Sequence, residues 1–122
     1  MENRKGRILV AEDERPIARA IELKLMHEGY EVVCAANGLE ALEKIKEENF
    51  DLILLDLVMP EMNGFELLQK MKDKNIGIPA IILSNLGQEA DMDKVRQLGV
   101  ADYFIKSNTP IIKIVEKINS IL

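Results

Sequence analysis

The sequence predicts an α/β fold in which a five-stranded parallel sheet is covered by helices on both faces. Two observations carry that expectation. Five short runs of mostly Val, Ile and Leu recur along the chain, and the segments between them return apolar residues at helical spacing. Within each run the residues are apolar in succession, the pattern of strands buried on both sides.

The first run, Ile8 to Ala11, ends at Glu12 and Asp13. A helix follows, opening at Pro16, whose fixed φ suits a first turn, then burying Ile17, Ile21 and Leu25 and stopping at Gly29. His27, the only histidine, falls in its last turn, where a cation complements the helix dipole. The second run, Val32 to Ala36, includes the single cysteine, Cys34, read as a small buried hydrophobe. Asn37 then caps a helix, with Glu40 three residues on and Ala41, Leu42 and Ile45 as the buried face; Phe50 lies beyond its end.

The third run, Leu52 to Leu55, is closed by Asp56, and a helix is expected over roughly Phe65 to Lys72. The fourth, Ala80 to Leu83, is closed by Ser84. Glu89 to Leu98 is polar apart from a thin stripe of Met92, Val95 and Leu98, which predicts a loosely packed helix and a candidate moving part. The fifth run, Tyr103 to Ile105, is closed by Lys106. Thr109 as cap and Pro110 at the first position would open a last helix with Ile111, Ile114, Val115, Ile118 and Ile121 on one broad face.

At 122 residues the chain fits one domain over residues 1–122, and its 48% hydrophobic and 30% charged content is ordinary for a globular protein. Sixteen basic against 21 acidic side chains, a net charge of −5, work against attraction to nucleic acid or anionic lipid. The one basic cluster, Arg4, Lys5 and Arg7, reads as a solvated N-terminal tail. No apolar run is long enough for a membrane span or signal-peptide core, and a lone Cys34 forms no internal disulfide, so a cytoplasmic location is expected.

Open sheets of this kind bind ligands at the carboxyl ends of their strands. Glu12, Asp13, Asp56, Ser84 and Lys106 all fall there. Taken singly each is an ordinary loop or cap residue; five polar groups on one edge point to chemistry. If Glu12, Asp13 and Asp56 converge, each close pair repels by about 4 kcal/mol at an effective dielectric of 20. A divalent cation relieves this, and carboxylate oxygens without Cys or His suit Mg²⁺ better than Zn²⁺.

This arrangement, with the segments Asp56-Leu57-Val58-Met59-Pro60-Glu61-Met62-Asn63-Gly64 and Ala101-Asp102-Tyr103-Phe104-Ile105-Lys106, resembles the receiver domain of response regulators over essentially the whole chain. The resemblance implies a flavodoxin-like (βα)5 three-layer sandwich with strand order 2-1-3-4-5, and a phosphoacceptor role in a two-component phosphorelay. Asp56 would take the phosphoryl group from a histidine kinase or from a small donor such as acetyl phosphate. Asp13 and Asp56 would bind Mg²⁺ through their side chains, Val58 through its carbonyl and Glu12 through a water. Lys106 and Ser84 would contact the phosphoryl group. Ser84 and Tyr103 would carry a switch to the surface of the fourth helix, fifth strand and fifth helix. Such a domain catalyses only its own phosphorylation and dephosphorylation and is not an enzyme. Its implied partners are a sensor histidine kinase or phosphotransfer protein, a downstream target or effector domain, and a second copy of the chain in a homodimer; no direct contact with nucleic acid or membrane is implied.

Two departures from the family pattern stand out, and two further positions bear on hydrolysis. Ser84 replaces the commoner Thr, keeping the hydroxyl without the methyl group. Ser107 replaces the usual Pro after the lysine, and a cis bond before a non-proline residue costs about 3–4 kcal/mol, which leaves that loop's geometry open. Val58 and Leu86 are apolar where the family tunes hydrolysis of the acyl phosphate, which predicts slow self-dephosphorylation. Rival readings fit less well. A haloacid-dehalogenase-like phosphatase needs a second Asp where Val58 stands, and an FMN site needs a Gly- and hydroxyl-rich loop where Glu12-Asp13-Glu14 would repel a phosphate. A phosphorylation-independent interaction module is not encouraged by the intact acid pair, Asp56, Ser84 and Lys106, and Mg²⁺-dependent phosphorylation by a small donor separates it from the main reading. The end at Leu122 suits a stand-alone regulator or the receiver of a longer chain equally.

Overall fold

The computed structural model describes residues 5–122. All five apolar runs become strands: β1 (Arg7–Ala11), β2 (Glu31–Ala35), β3 (Leu52–Leu55), β4 (Ala80–Ser84) and β5 (Asp102–Ile105). They form one parallel sheet in the order β2-β1-β3-β4-β5, as the resemblance implied. Between them lie α1 (Arg15–His27), α2 (Gly38–Glu47), α3 (Gly64–Asp73) and α4 (Glu89–Gln97), and a 3₁₀ turn (Lys106–Asn108) leads into α5 (Ile111–Ile121).

Strand side chains alternate between the two faces, so an unbroken apolar run serves two cores. Ile8 and Val10 of β1, Leu52 and Leu54 of β3, and Ile81 and Leu83 of β4 pack with Ile21 and Leu25 of α1 and Ile114, Val115 and Ile118 of α5. Leu9, Ala11, Ile53, Leu55, Ala80 and Ile82 face the other way, toward Ala41 and Leu42 of α2, Leu67 and Met71 of α3, and Val95 of α4. The central strands are buried along their length apart from Arg7 at the start of β1, whereas β2 and β5, at the sheet edges, are largely half-buried. Each fully buried Leu or Ile contributes about 2 kcal/mol, so the centre of the sheet holds the frame and the edges are freer to change.

Helix ends match the expectation in part. Asn37 caps α2 by accepting the Glu40 N–H at 2.8 Å, while the Glu40 carboxylate accepts the N–H of Ala36. Pro16 stands in the first turn of α1, and His27 is that helix's last residue. Val95 is the only buried residue of α4, consistent with its thin apolar stripe. The start of α5 differs: Pro110 is extended and occupies the cap position, and the Thr109 hydroxyl donates to the Ile105 carbonyl instead of capping the helix. Cys34, expected to be buried, is half-buried on the edge strand, where burial and then the Glu22 charge push its thiol up to about 11.

The basic N-terminal cluster is no solvated tail where it is described. Arg4 lies outside the described residues. Arg7 belongs to β1, pairs with Glu31 at 2.8 Å and with Glu48, and lies 4.9 Å from the centre of the Phe50 ring. Lys5 sits 5.8 Å above the Tyr30 ring. These contacts join residues 24 and 41 positions apart in sequence, which local charge patterning does not reveal.

Candidate functional site: an acidic cleft at the carboxyl edge

Strand register assembles the site. Ala11 pairs with Leu55, so Glu12 and Asp56 each follow the last paired residue of adjacent strands, at the switch point where the connections after β1 and β3 run to opposite sides of the sheet. The Asp56 N–H donates to the Ala11 carbonyl at 3.0 Å, locking the two loops together. Across the sheet, Ser84 pairs with Ile105, so Lys106 emerges one residue beyond it.

Glu12, Asp56 and Ser84 are the buried polar residues here, and the Lys106 ammonium binds the two carboxylates at 2.8 Å each. Its third contact is Glu14, at 2.9 Å. Asp56 Oδ1 accepts the Val58 N–H at 3.1 Å, and Glu12 Oε2 accepts the Glu14 N–H at 3.0 Å, so every carboxylate oxygen of the buried pair has a donor. Burial pushes the Glu12 carboxyl above its ordinary value, and the nearby Asp56 charge adds to this, against the opposing pull of Lys106 and the Glu14 N–H. Burial alone would lower Lys106, but hydrogen bonds to Asp56, Glu12 and Glu14 outweigh it and hold the ammonium above its ordinary pKa.

Asp13 completes a group of four carboxylates, with Glu12, Glu14 and Asp56, whose oxygens lie within 4.8 Å of one another. All are hard oxygen donors and the group contains no Cys or His, a set that fits Mg²⁺. A cleft of about 280 Å³ opens beside it, lined by Asp13, Glu14, Asp56, Val58, Ser84, Asn85 and Lys106. At about 30 Å³ per water, it has room for a phosphate-sized group and several waters.

The Asp56 loop is held from below. Asn63 and Glu66 form a capping box at the start of α3, and Gly64 lets that helix approach closely: a Cβ there would lie 2.6 Å from the Asp56 carbonyl oxygen. After β4, the Ser84 hydroxyl accepts the Leu86 N–H at 3.4 Å, and the Leu86 carbonyl accepts the Tyr103 hydroxyl. Tyr103 is half-buried, its ring packed toward the α2–α4 core, with its phenol pushed up by burial and by Asp91 and Asp56. Every described peptide bond is trans, so Lys106–Ser107 forms the 3₁₀ turn without a cis bond, and the Ser107 N–H donates to Asn85 Oδ1 at 2.9 Å.

All the residues singled out by sequence thus fall in or beside one cleft, with Tyr103 one layer behind it. Glu14 and Asn85 were missed. Glu14 directly follows the acid pair, but a glutamate just before a helix reads as helix chemistry, and nothing local indicates a lysine 92 residues away.

The response regulator receiver domain profile matches residues 8–119. The chain belongs to the response-regulator receiver family. Among curated proteins, this receiver is 38% identical over 110 residues to the probable transcriptional regulator ycf27 of Pyropia yezoensis, covering 90% of the receiver and 45% of that protein. It is 40% identical over 101 residues to the transcriptional regulatory protein CrdR of Helicobacter pylori, with 82% and 47% covered. The receiver therefore spans a little under half the length of these relatives. Among solved structures, the Francisella response regulator 1452 receiver domain superposes with a TM-score of 0.91 at 32% identity, covering 96% of each chain. The response regulator TrrA of Thermotoga maritima, solved in complex with Mg²⁺-BeF, gives 0.82 at 31% identity over 100% of both chains. Among the described residues no helix of the receiver is long and apolar enough to cross a membrane.

Proposed function

We propose that this receiver is the phosphoacceptor of a cytoplasmic two-component relay, with Asp56 as the residue modified. The observation that carries this reading is the buried Asp56 carboxylate held 2.8 Å from the Lys106 ammonium beside three further carboxylates. Response regulators as a class work with histidine kinases and effector domains, and a kinase's phosphohistidine or a small acyl phosphate would be the donor here. Asp13 and Asp56 side chains, the Val58 carbonyl and, through water, Glu12 would hold Mg²⁺. When bound, that ion would neutralise the clustered carboxylates and the charge on the transferring oxygens.

The chain's own groups do the rest. Asp56 is the nucleophile, its Oδ1 oriented by the Val58 N–H. Lys106 stands ready to exchange its bond to Oδ2 for one to a phosphoryl oxygen, and the Ser84 hydroxyl can turn from the Leu86 N–H to donate to the same group. Drawing Ser84 inward pulls on the loop whose Leu86 carbonyl receives Tyr103, so the state of Asp56 would be read on α4, β5 and α5 by a target protein, an effector domain or a second receiver. The domain would act on no substrate other than itself and is not an enzyme in that sense.

Mg²⁺ with beryllium fluoride, a tetrahedral stand-in for the phosphoryl group, tests this. Amide NMR shifts at Ser84, Tyr103 and along α4, β5 and α5 are expected, and none in Asp56→Asn. An unchanged spectrum, or the same shifts in Asp56→Asn, overturns the reading.

A further inference from the structure

Lys106 has three N–H bonds to give, and all three go to carboxylates: Asp56, Glu12 and Glu14. Two of these acceptors are buried. The Glu14 side chain is 54% exposed and approaches Lys106, itself only 9% exposed, from the solvent side. Glu14 also occupies the N-cap position of α1, yet its side chain makes no cap hydrogen bond. Its backbone carbonyl accepts the first helical N–H groups, so the helix start does not depend on its carboxylate. Among the described contacts, the carboxylate's hydrogen-bonded partner is Lys106.

We propose that Glu14 is a positioning residue that brakes phosphoryl transfer, by occupying one Lys106 N–H bond and placing a fourth negative charge at the mouth of the cleft. The inference rests on the phosphoacceptor reading of Asp56. In the transfer from acetyl phosphate, an Asp56 carboxylate oxygen forms the new O–P bond as the P–O bond to the acetyl group breaks, and the electron pair leaves with acetate. No proton moves, and the charge on the Asp56 side chain grows from one to two negative units as the phosphoryl group arrives. Among the chain's own side chains, the cation that meets that added charge is Lys106, whose bonds are already divided. A donor that is itself an anion must also pass Glu14, which lines the cleft with Asp13, Asp56 and Ser84. Replacing Glu14 by a neutral side chain frees one Lys106 bond and lowers the repulsion at the entrance.

The experiment follows the rate of phosphoryl adduct formation by intact mass with acetyl phosphate, at Mg²⁺ saturating for each variant. Native chain, Glu14→Gln and Glu14→Ala are compared at about 0.05 M and about 0.5 M salt, with thermal melts to confirm that each is folded. Both variants are expected to label about threefold faster than the native chain at low salt. That advantage should shrink toward unity at high salt, because the Glu14 charge is exposed and screened. A purely structural role would not give this salt dependence. Equal or slower labelling of the variants, or a gain that salt leaves unchanged, overturns the role of Glu14 while Asp56 remains the acceptor. No adduct on the native chain removes the phosphoacceptor reading, and this inference with it.

Discussion

At the residue scale, the cleft is defined as much by what Val58 and Leu86 lack as by what Asp56 and Lys106 supply. Val58 lines the cleft and is 57% exposed, so it stands where a hydrolytic water would approach Asp56 and offers no side-chain hydrogen bond to orient one. The Leu86 carbonyl is engaged by Tyr103. The aspartyl phosphate is therefore expected to persist for minutes or longer once the donor is removed, and Val58→Asn to shorten its lifetime several-fold. Decay of the intact-mass adduct measures this, and a native lifetime of seconds contradicts it. Asp56, Ser84 and Lys106 were legible because each polar residue interrupts or follows an apolar run at a strand end. Glu14 was not, because its partner lies just past the last strand in sequence, and only the fold brings the segments after β1 and β5 together.

At the scale of elements, strands were easier to read than helix ends. An apolar run marks a strand wherever it falls, even at a half-buried sheet edge, whereas a helix start turns on one backbone conformation. Asn37 was read correctly as a cap; Thr109 was read as one and is not, because its hydroxyl satisfies a strand carbonyl and Pro110 takes the cap position. The start of α3 has two separable contributions. Asn63→Ala removes a capping-box acceptor and is expected to destabilise the fold by about 1 kcal/mol in urea unfolding, with little effect on the Asp56 loop. Gly64→Ala would press its methyl group against the Asp56 carbonyl and the Leu57 backbone, at 2.6 and 2.7 Å. A loss of about 1–3 kcal/mol is expected, together with slower phosphorylation, since the strained segment carries Asp56, the proposed acceptor. Equal effects of the two substitutions on labelling rate would contradict this assignment.

For the whole molecule, sheet order gathers four carboxylates, three of them bonded to one ammonium, and that arrangement links stability to pH and to cations. Glu12 holds its proton more tightly folded than unfolded, so in EDTA stability should fall as pH rises through the range just above the ordinary 4.5. Lys106 is shifted upward as well, so its stabilisation is fully present below the ordinary 10.5 and is lost only as pH rises through its folded value. Mg²⁺ should raise the melting temperature at pH 7, because an ion held by the assembled carboxylates would bind only the folded arrangement. Asp13→Asn should raise the melting temperature in EDTA by relieving repulsion, and should lose most of the Mg²⁺ increment. Melts across pH with and without Mg²⁺ check all of these, and no Mg²⁺ effect on the native chain would contradict them.

The most direct single measurement is intact mass after incubation with Mg²⁺ and acetyl phosphate, native chain against Asp56→Asn. One phosphoryl adduct on the native chain, none on the variant and none when EDTA replaces Mg²⁺ is the expected result. An adduct that survives in Asp56→Asn, or a native chain that binds Mg²⁺ yet takes no phosphoryl group, would contradict the assignment of Asp56 as the acceptor.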